Sequence, residues 1–191
     1  MASGALKEMQ AKGWLVPLAG NIYLVQAPNQ SRFPFCNSFL IDGSEMVLID
    51  AGIGVARLQA LDRIKRIDIL IISHSHPDHI LAWHVLKDRQ LFLPRETPDS
   101  ITDLYESGLR FTDTVAKAKH WAQRIGSELG VQPLRIAVGR YGDGDVFEVA
   151  GVSLQAIHAP GHLDDHYCFL ETKSGTLLTT DIDFTGFGPW Y

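Results

Sequence analysis

The stretch Ile69-Leu70-Ile71-Ile72-Ser73-His74-Ser75-His76-Pro77-Asp78-His79 decides how the rest of the chain is read. Its first four residues are apolar on both faces, the signature of a strand buried in the middle of a sheet. Three imidazoles and one carboxylate then follow within six positions, a dense set of the donors that zinc takes at about 2.0–2.2 Å. Alternate residues of an extended chain share a side, so His74 and His76 can converge. A turn at Pro77 lets Asp78 and His79 face a neighbouring point. A chance match to His-x-His-x-Asp-His is expected in on the order of one such chain in a thousand. Loops at the carboxyl ends of strands are also where α/β proteins usually carry function.

Outward from this run the chain alternates in type. Residues 22–26, 37–41 and 46–50 read as short strands separated by turn residues such as Pro28, Asn29 and Asp42-Gly43-Ser44. Val55, Leu58, Leu61 and Ile64 recur at helical spacing. Beyond the histidines, 80–86 reads as a helix with Pro77 in its first turn, and 91–93 as a strand. Phe111, Val115, Ala118, Ala122, Ile125 and Leu129 keep the spacing of one long amphipathic helix, with Gly130 as its stop. Residues 145–149, 152–158, 167–171 and 176–180 read as consecutive strands. The pattern means α/β or α+β with two sheets.

Composition bounds the function. The 191 residues are 46% hydrophobic and 20% charged, enough for one globular domain with a real core. A net charge of -5 argues against nucleic acid as a partner. The longest aliphatic run is too short to span a membrane, and the N-terminal residues lack a secretory pattern, so a cytoplasmic protein is expected. Cys36 and Cys168 have no CxxC partner and read as buried apolar residues before metal ligands. Of eight histidines, His74, His76, His79 and His84 crowd one segment, His158, His162 and His166 another, and His120 stands alone. His84, His120 and His158 read as ordinary core or surface residues.

The run resembles the His-x-His-x-Asp-His motif of the metallo-β-lactamase superfamily, which includes glyoxalase II-like thioesterases, lactonases and arylsulfatase-like enzymes. Val47-Leu48-Ile49-Asp50-Ala51-Gly52 is similar to the family's strand ending in Asp-x-Gly. Ala159-Pro160-Gly161-His162 is similar to its Pro-Gly-His loop, and Leu177-Leu178-Thr179-Thr180-Asp181 to the strand ending in the bridging Asp. The resemblance implies an α/β fold, the four-layer αββα sandwich, as a single domain over 1–191. It implies two metal sites: His74, His76 and His162 at the first, Asp78 and His79 at the second, and Asp181 bridging. Zinc is the expected ion, with iron or manganese as alternatives. Two such ions about 3.5–4 Å apart share a water and lower its pKa toward neutrality. The implied reaction is attack of that hydroxide on a small ester, thioester or lactone. Asp78 is then the catalytic residue that orients the water and shuttles its proton. Asp50 reads as a support for a loop or a ligand imidazole, and His166 as a neighbour of the site.

The chain also departs from the family. Ile80-Leu81-Ala82 replaces the small glycines that often follow the motif. The family's last histidine lies well downstream of the bridging Asp, whereas ten positions follow Asp181 here (191 minus 181) and none is His. The expectation is a chain that lacks C-terminal elements of the sandwich and whose second metal site is incomplete. A partner chain such as a homodimer mate, or a one-metal centre, is the other way to read it. Two rival functions share the fold: a non-heme iron dioxygenase and a non-catalytic metal-binding protein. The expected partner is a small-molecule substrate, and Trp83, Trp121 and Phe111 are expected in the core, not on its path.

Overall fold

The computed structural model describes residues 4–136 and 138–182. The chain begins with α1 (Gly4–Ala11), β1 (Leu15–Ala19), β2 (Ile22–Val25), β3 (Ser38–Asp42) and β4 (Met46–Ile49). It continues through α2 (Val55–Ile64), β5 (Ile69–Ile71), β6 (Gln90–Pro94), α3 (Leu104–Phe111), α4 (Val115–Gln123) and β7 (Gly139–Tyr141). The strands β8 (Val146–Val149), β9 (Val152–His158), β10 (Tyr167–Glu171) and β11 (Thr176–Leu178) complete it. β1 to β7 form one sheet in chain order, and β8 to β11 form a second, antiparallel sheet. In the first, β1 to β4 pair antiparallel, and β4 to β7 pair parallel.

The period of two along the central strands builds two cores. Val47, Ile49, Ile69 and Ile71 point toward the second sheet and meet Leu154, Ala156, Tyr167 and Phe169. Leu48, Leu70 and Ile72 point the other way, onto Leu58 and Leu61 of α2 and onto Trp83 and Leu86. β4 and β5 are thus buried on both faces, as their unbroken apolar runs require. Cutting one of these leucines to alanine costs about 2–5 kcal/mol. The layers are helix, sheet, sheet. The outer helical cover of the second sheet is not found among the described residues, and the last nine positions, 183–191, lie outside them.

Two helices expected from periodicity take a different form. Residues 80–86 make turns and then a short 3-10 helix, Trp83–Leu86, behind a non-helical Ala82. Here tertiary hydrogen bonds win over local ones: Ala51 N donates to His79 O at 2.8 Å, and Ala82 N donates to Ala51 O at 3.0 Å. The helix expected from Phe111 to Leu129 starts later: Phe111 ends α3, the helical path breaks at 112–114, and α4 runs on into a π-helical turn, Arg124–Glu128. Asp103 caps the first at Tyr105 N and Glu106 N, and Thr114 caps the second at Lys117 N, each satisfying orphan donors of a first turn. Gly108 allows the two helices to touch; a Cβ there would lie 2.7 Å from Ala118 O. Gly130 does end the helical segment, in the left-handed region at φ 77°. α1, β1 and β7 are elements that periodicity did not announce. β1 carries Pro17 and pairs with β2 alone, a position where a missing N–H is tolerated.

Candidate metal centre

The histidine run leaves β5 through Ser73, and four contacts fix its path. Tyr141 OH donates to Ile72 O at 2.7 Å, and Tyr167 N donates to Ser73 O at 3.1 Å. Farther along, Ser75 Oγ and Thr97 Oγ1 both donate to the fully buried Asp165, at 3.2 and 2.9 Å. The loop is therefore tied to both sheets before any ligand is considered.

Asp50 sits at the end of β4 with φ 65°, a left-handed conformation that Asp tolerates better than most residues. Its Oδ1 accepts from Ser73 N at 2.7 Å, and its Oδ2 accepts from Ser73 Oγ and His79 Nδ1, both at 2.8 Å. The Ser73 hydroxyl has one proton, given to Asp50, so it accepts from His74 Nδ1 at 2.9 Å. This arrangement places the protons of His74 and His79 on Nδ1 and leaves their Nε2 lone pairs free. It is the support expected for Asp50 from the resemblance.

Those lone pairs face other donors. His76 Nδ1 is 3.1 Å from His74 Nε2 and 2.8 Å from His162 Nε2. Asp181 Oδ2 is 3.2 Å from His79 Nε2, 3.3 Å from His162 Nε2 and 3.7 Å from His74 Nε2. A tetrahedral ion with bonds of about 2.0–2.1 Å holds its donors about 3.3 Å apart, so these spacings fit a metal. His79 Nε2 and His162 Nδ1 are buried and make no hydrogen bond among the described residues, although Asp181 Oδ2 approaches the first within 3.2 Å. An orphaned buried nitrogen costs about 1–3 kcal/mol, which an ion at His79 Nε2 would relieve; His162 turns its other nitrogen, Nε2, to the donors. One group of donors is His74, His76, His162 and Asp181; a second is Asp78 and His79 together with Cys36. All six sequence-derived candidates therefore meet in one place.

Electrostatics suit cation binding at the first group of donors. Burial, then the neighbouring imidazoles, hold His74 well below its ordinary pKa and His76 down at about 3. Both are neutral at physiological pH and can donate a lone pair. Burial resists ionisation of Asp181, yet the imidazoles of His79, His162 and His74 outweigh it and hold that carboxyl well below its usual range. Burial raises Asp78. His79 moves upward, because Cys36, Asp50 and Asp181 outweigh its burial.

His166 behaves as a neighbour: Nδ1 faces Ala159 O at 3.2 Å, and Nε2 faces Thr180 Oγ1 at 2.6 Å. His158 is engaged by Asp164 O, and His120 lies exposed on α4. The aromatic expectation needs correction. Trp83 is buried, but Phe111 and Trp121 line a cavity of about 350 Å³ beside His76, Asp78, His162 and Asp181. Their rings stack at 5.4 Å, and Phe111 lies 5.5 Å from the His76 ring. The break between α3 and α4 brings them there, and helical periodicity hides it. A second cavity, of about 330 Å³, opens on Cys36, Asp78, His79 and Asp181. Cys36, read from sequence as a buried apolar residue before a metal ligand, lies beside Asp78 and His79, although no spacing signal links it to the motif.

Residues 31–191 match the family profile of the metallo-β-lactamase superfamily. The chain belongs to that superfamily. It is 27% identical over 173 residues to the lactamase-like protein ptaB of Pestalotiopsis fici, a match covering 86% of this chain and 45% of that protein. It is 51% identical over 173 residues to the atrochrysone carboxyl ACP thioesterase AgnL7 of Paecilomyces divaricatus, again covering 86% and 45%. The chain thus spans less than half the length of these curated relatives. Among solved structures, the family protein TTHA1429 of Thermus thermophilus superposes with a TM-score of 0.65 at 22% identity, covering 91% of this chain and 63% of that one. TTHA1623, solved in a di-iron-bound form, gives 0.61 at 20% identity, covering 84% and 75%. At these identities the structures speak for the fold alone. Among the described residues, no helix is long and apolar enough to cross a membrane.

Proposed function

We propose that this chain is the catalytic part of a metal-dependent hydrolase that cleaves an acyl thioester, with zinc as its ion. The observation that carries the reading is Asp181 Oδ2, which lies 3.2–3.7 Å from imidazole nitrogens of both donor groups. His74, His76 and His162 would hold one ion, Asp78 and His79 a second, and Asp181 both. Bound divalent ions supply a nucleophile at neutral pH and polarise the attacked carbonyl. The chain's own residues do the rest. The Asp78 carboxyl, raised by burial and bordering both cavities, would orient a water and hold its proton. Ser73 and Asp50 fix the rings of His74 and His79. Phe111 and Trp121 form an apolar wall against which a bulky acyl group can lie while water is kept out.

Relatives named atrochrysone carboxyl ACP thioesterase favour a thioester over a lactone or simple ester. The paired donor groups favour hydrolysis over single-iron oxygen chemistry, which needs only two histidines and one carboxylate. The test is metal analysis of the purified protein, followed by turnover of an aromatic acyl thioester before and after chelation. Zinc content with turnover that chelation abolishes and zinc restores is the expected result. Absence of zinc, or activity indifferent to the chelator, would sink the reading.

A further inference from the structure

The Cys36 thiol is buried in the loop between β2 and β3, far in sequence from every other site residue. Its Sγ, a carboxylate oxygen of Asp78 and a ring nitrogen of His79 all lie within 4.8 Å of one another. The three border the same cavity. His79 is at least nine-tenths buried; its Nε2 makes no hydrogen bond among the described residues and lies 4.0 Å from Asp78 Oδ2.

The backbone is arranged to bring the sulfur here. Gly52, the glycine of the Asp-x-Gly turn, lies beneath both Cys36 and Asp78. A Cβ at Gly52 would come within 2.0 Å of Cys36 Sγ and 2.5 Å of Asp78 O. Only a residue without a side chain lets the two approach. Cys36 N donates to Gly52 O at 3.2 Å, which pins the loop at that point. The thiol itself donates to Asp78 O at 3.4 Å, a weak bond for sulfur. Cys168, by contrast, is buried beside Thr179 O in the second sheet and has no such company among the described residues.

We infer that Cys36 is a protein donor to the second metal ion, completing a Cys36–Asp78–His79 set. The inference rests on the two-ion reading proposed above. On binding, the S–H bond breaks, its proton leaves to the buffer, and a sulfur lone pair forms the bond to the ion; nothing is oxidised or reduced. Thiolate suits zinc and other borderline ions and disfavours magnesium or calcium. Sulfur at this site thereby narrows the choice of ion.

The test uses the full chain loaded with cobalt(II), with bound cobalt counted directly. Two bound equivalents and an intense near-ultraviolet thiolate-to-cobalt band are expected. Cys36→Ser should lose that band, keep the visible bands of the His74–His76–His162 site, and bind the second equivalent more than about tenfold more weakly. Cys168→Ser should keep the band. Zinc-edge X-ray absorption of the unaltered, fully loaded chain needs no variant and should show a sulfur neighbour at about 2.3 Å. Two bound ions with neither band nor sulfur neighbour would overturn the assignment and leave the two-ion reading standing. A band that survives in Cys36→Ser would overturn it as well. Binding of one ion or none would remove the two-ion reading, and the inference with it.

Discussion

Asp50 Oδ2 and His79 Nδ1 lie 2.8 Å apart, both fully buried, and this pair decides which nitrogen of His79 is free for a ligand. The same oxygen accepts from Ser73 Oγ, which in turn orients His74. One carboxylate therefore sets the protonation of two imidazoles in different donor groups.

Asp50→Asn keeps the size and tolerates the positive φ, but it places an amide N–H where an acceptor is needed. His79 should switch its proton to Nε2 and lose the second ion. Metal content should fall from two equivalents toward one, with affinity for the second ion reduced by about 10–100-fold. Equal metal content in variant and parent, by atomic emission, would rule this role out.

Metal-free protein should lose stability as pH falls from 6.5 toward 3. His74 and His76 are held neutral by burial, His76 at about 3, so the unfolded chain binds more protons through that window. A depressed pKa stabilises the fold above the ordinary value, and that contribution is lost on descent through the folded one. His79 has the opposite sign: raised, it contributes fully below 6.5 and fades as pH rises through its folded value. Melting curves of chelated His76→Gln should fall less steeply between pH 6.5 and 3 than those of the parent; equal slopes would clear His76 of the effect.

Phe111→Ala should weaken turnover of a bulky aromatic acyl thioester and spare an acetyl thioester. A lost aromatic contact of about 0.5–1.5 kcal/mol corresponds to roughly 2–12-fold in kcat/KM. Trp121→Ala should act in the same direction, because the two rings stack. Equal losses on both substrates would argue for damage to the metal centre, not for a substrate wall.

Gly108→Ala sets two effects against each other. Alanine improves helix propensity by about 1 kcal/mol, but its Cβ would meet the backbone of α4 at 2.7 Å. Overpacking against backbone costs about 1–3 kcal/mol, so a net loss of about 1 kcal/mol is expected. For a chain of this size that lowers Tm by about 2–4 °C. A raised Tm would mean that α3 and α4 can separate freely.

The part of the site held by nearest neighbours was legible in the sequence, because His74, His76, Asp78 and His79 need only one strand end and one turn. His162 stood in a second histidine cluster, but its role, like that of Asp181, came from family resemblance, since no local rule links them to a motif about a hundred residues upstream. Cys36 and the Phe111–Trp121 pair were not legible. The first depends on how closely Gly52 lets two loops approach, and the second on a helix break that apolar spacing conceals. The break had a local signal in Thr114, a good N-cap, which the long periodic run outweighed. The 80–86 segment failed as a helix because Ala51 took its hydrogen bonds, a competition between distant partners that no local window contains.

That clasp between Ala51 and the turn after His79 is made of main-chain atoms only. At Asp78 the path of the donor-bearing loop is thus set by main-chain bonds on either side, while Ser73, Ser75 and His79 also tie it by their side chains. Exchange of Asp78 for another ligand type would retune ion preference without asking the chain to refold, whereas His79 also holds Asp50. The scaffold offers a socket whose pins can be swapped one at a time, which is a physical route by which one architecture comes to serve many chemistries.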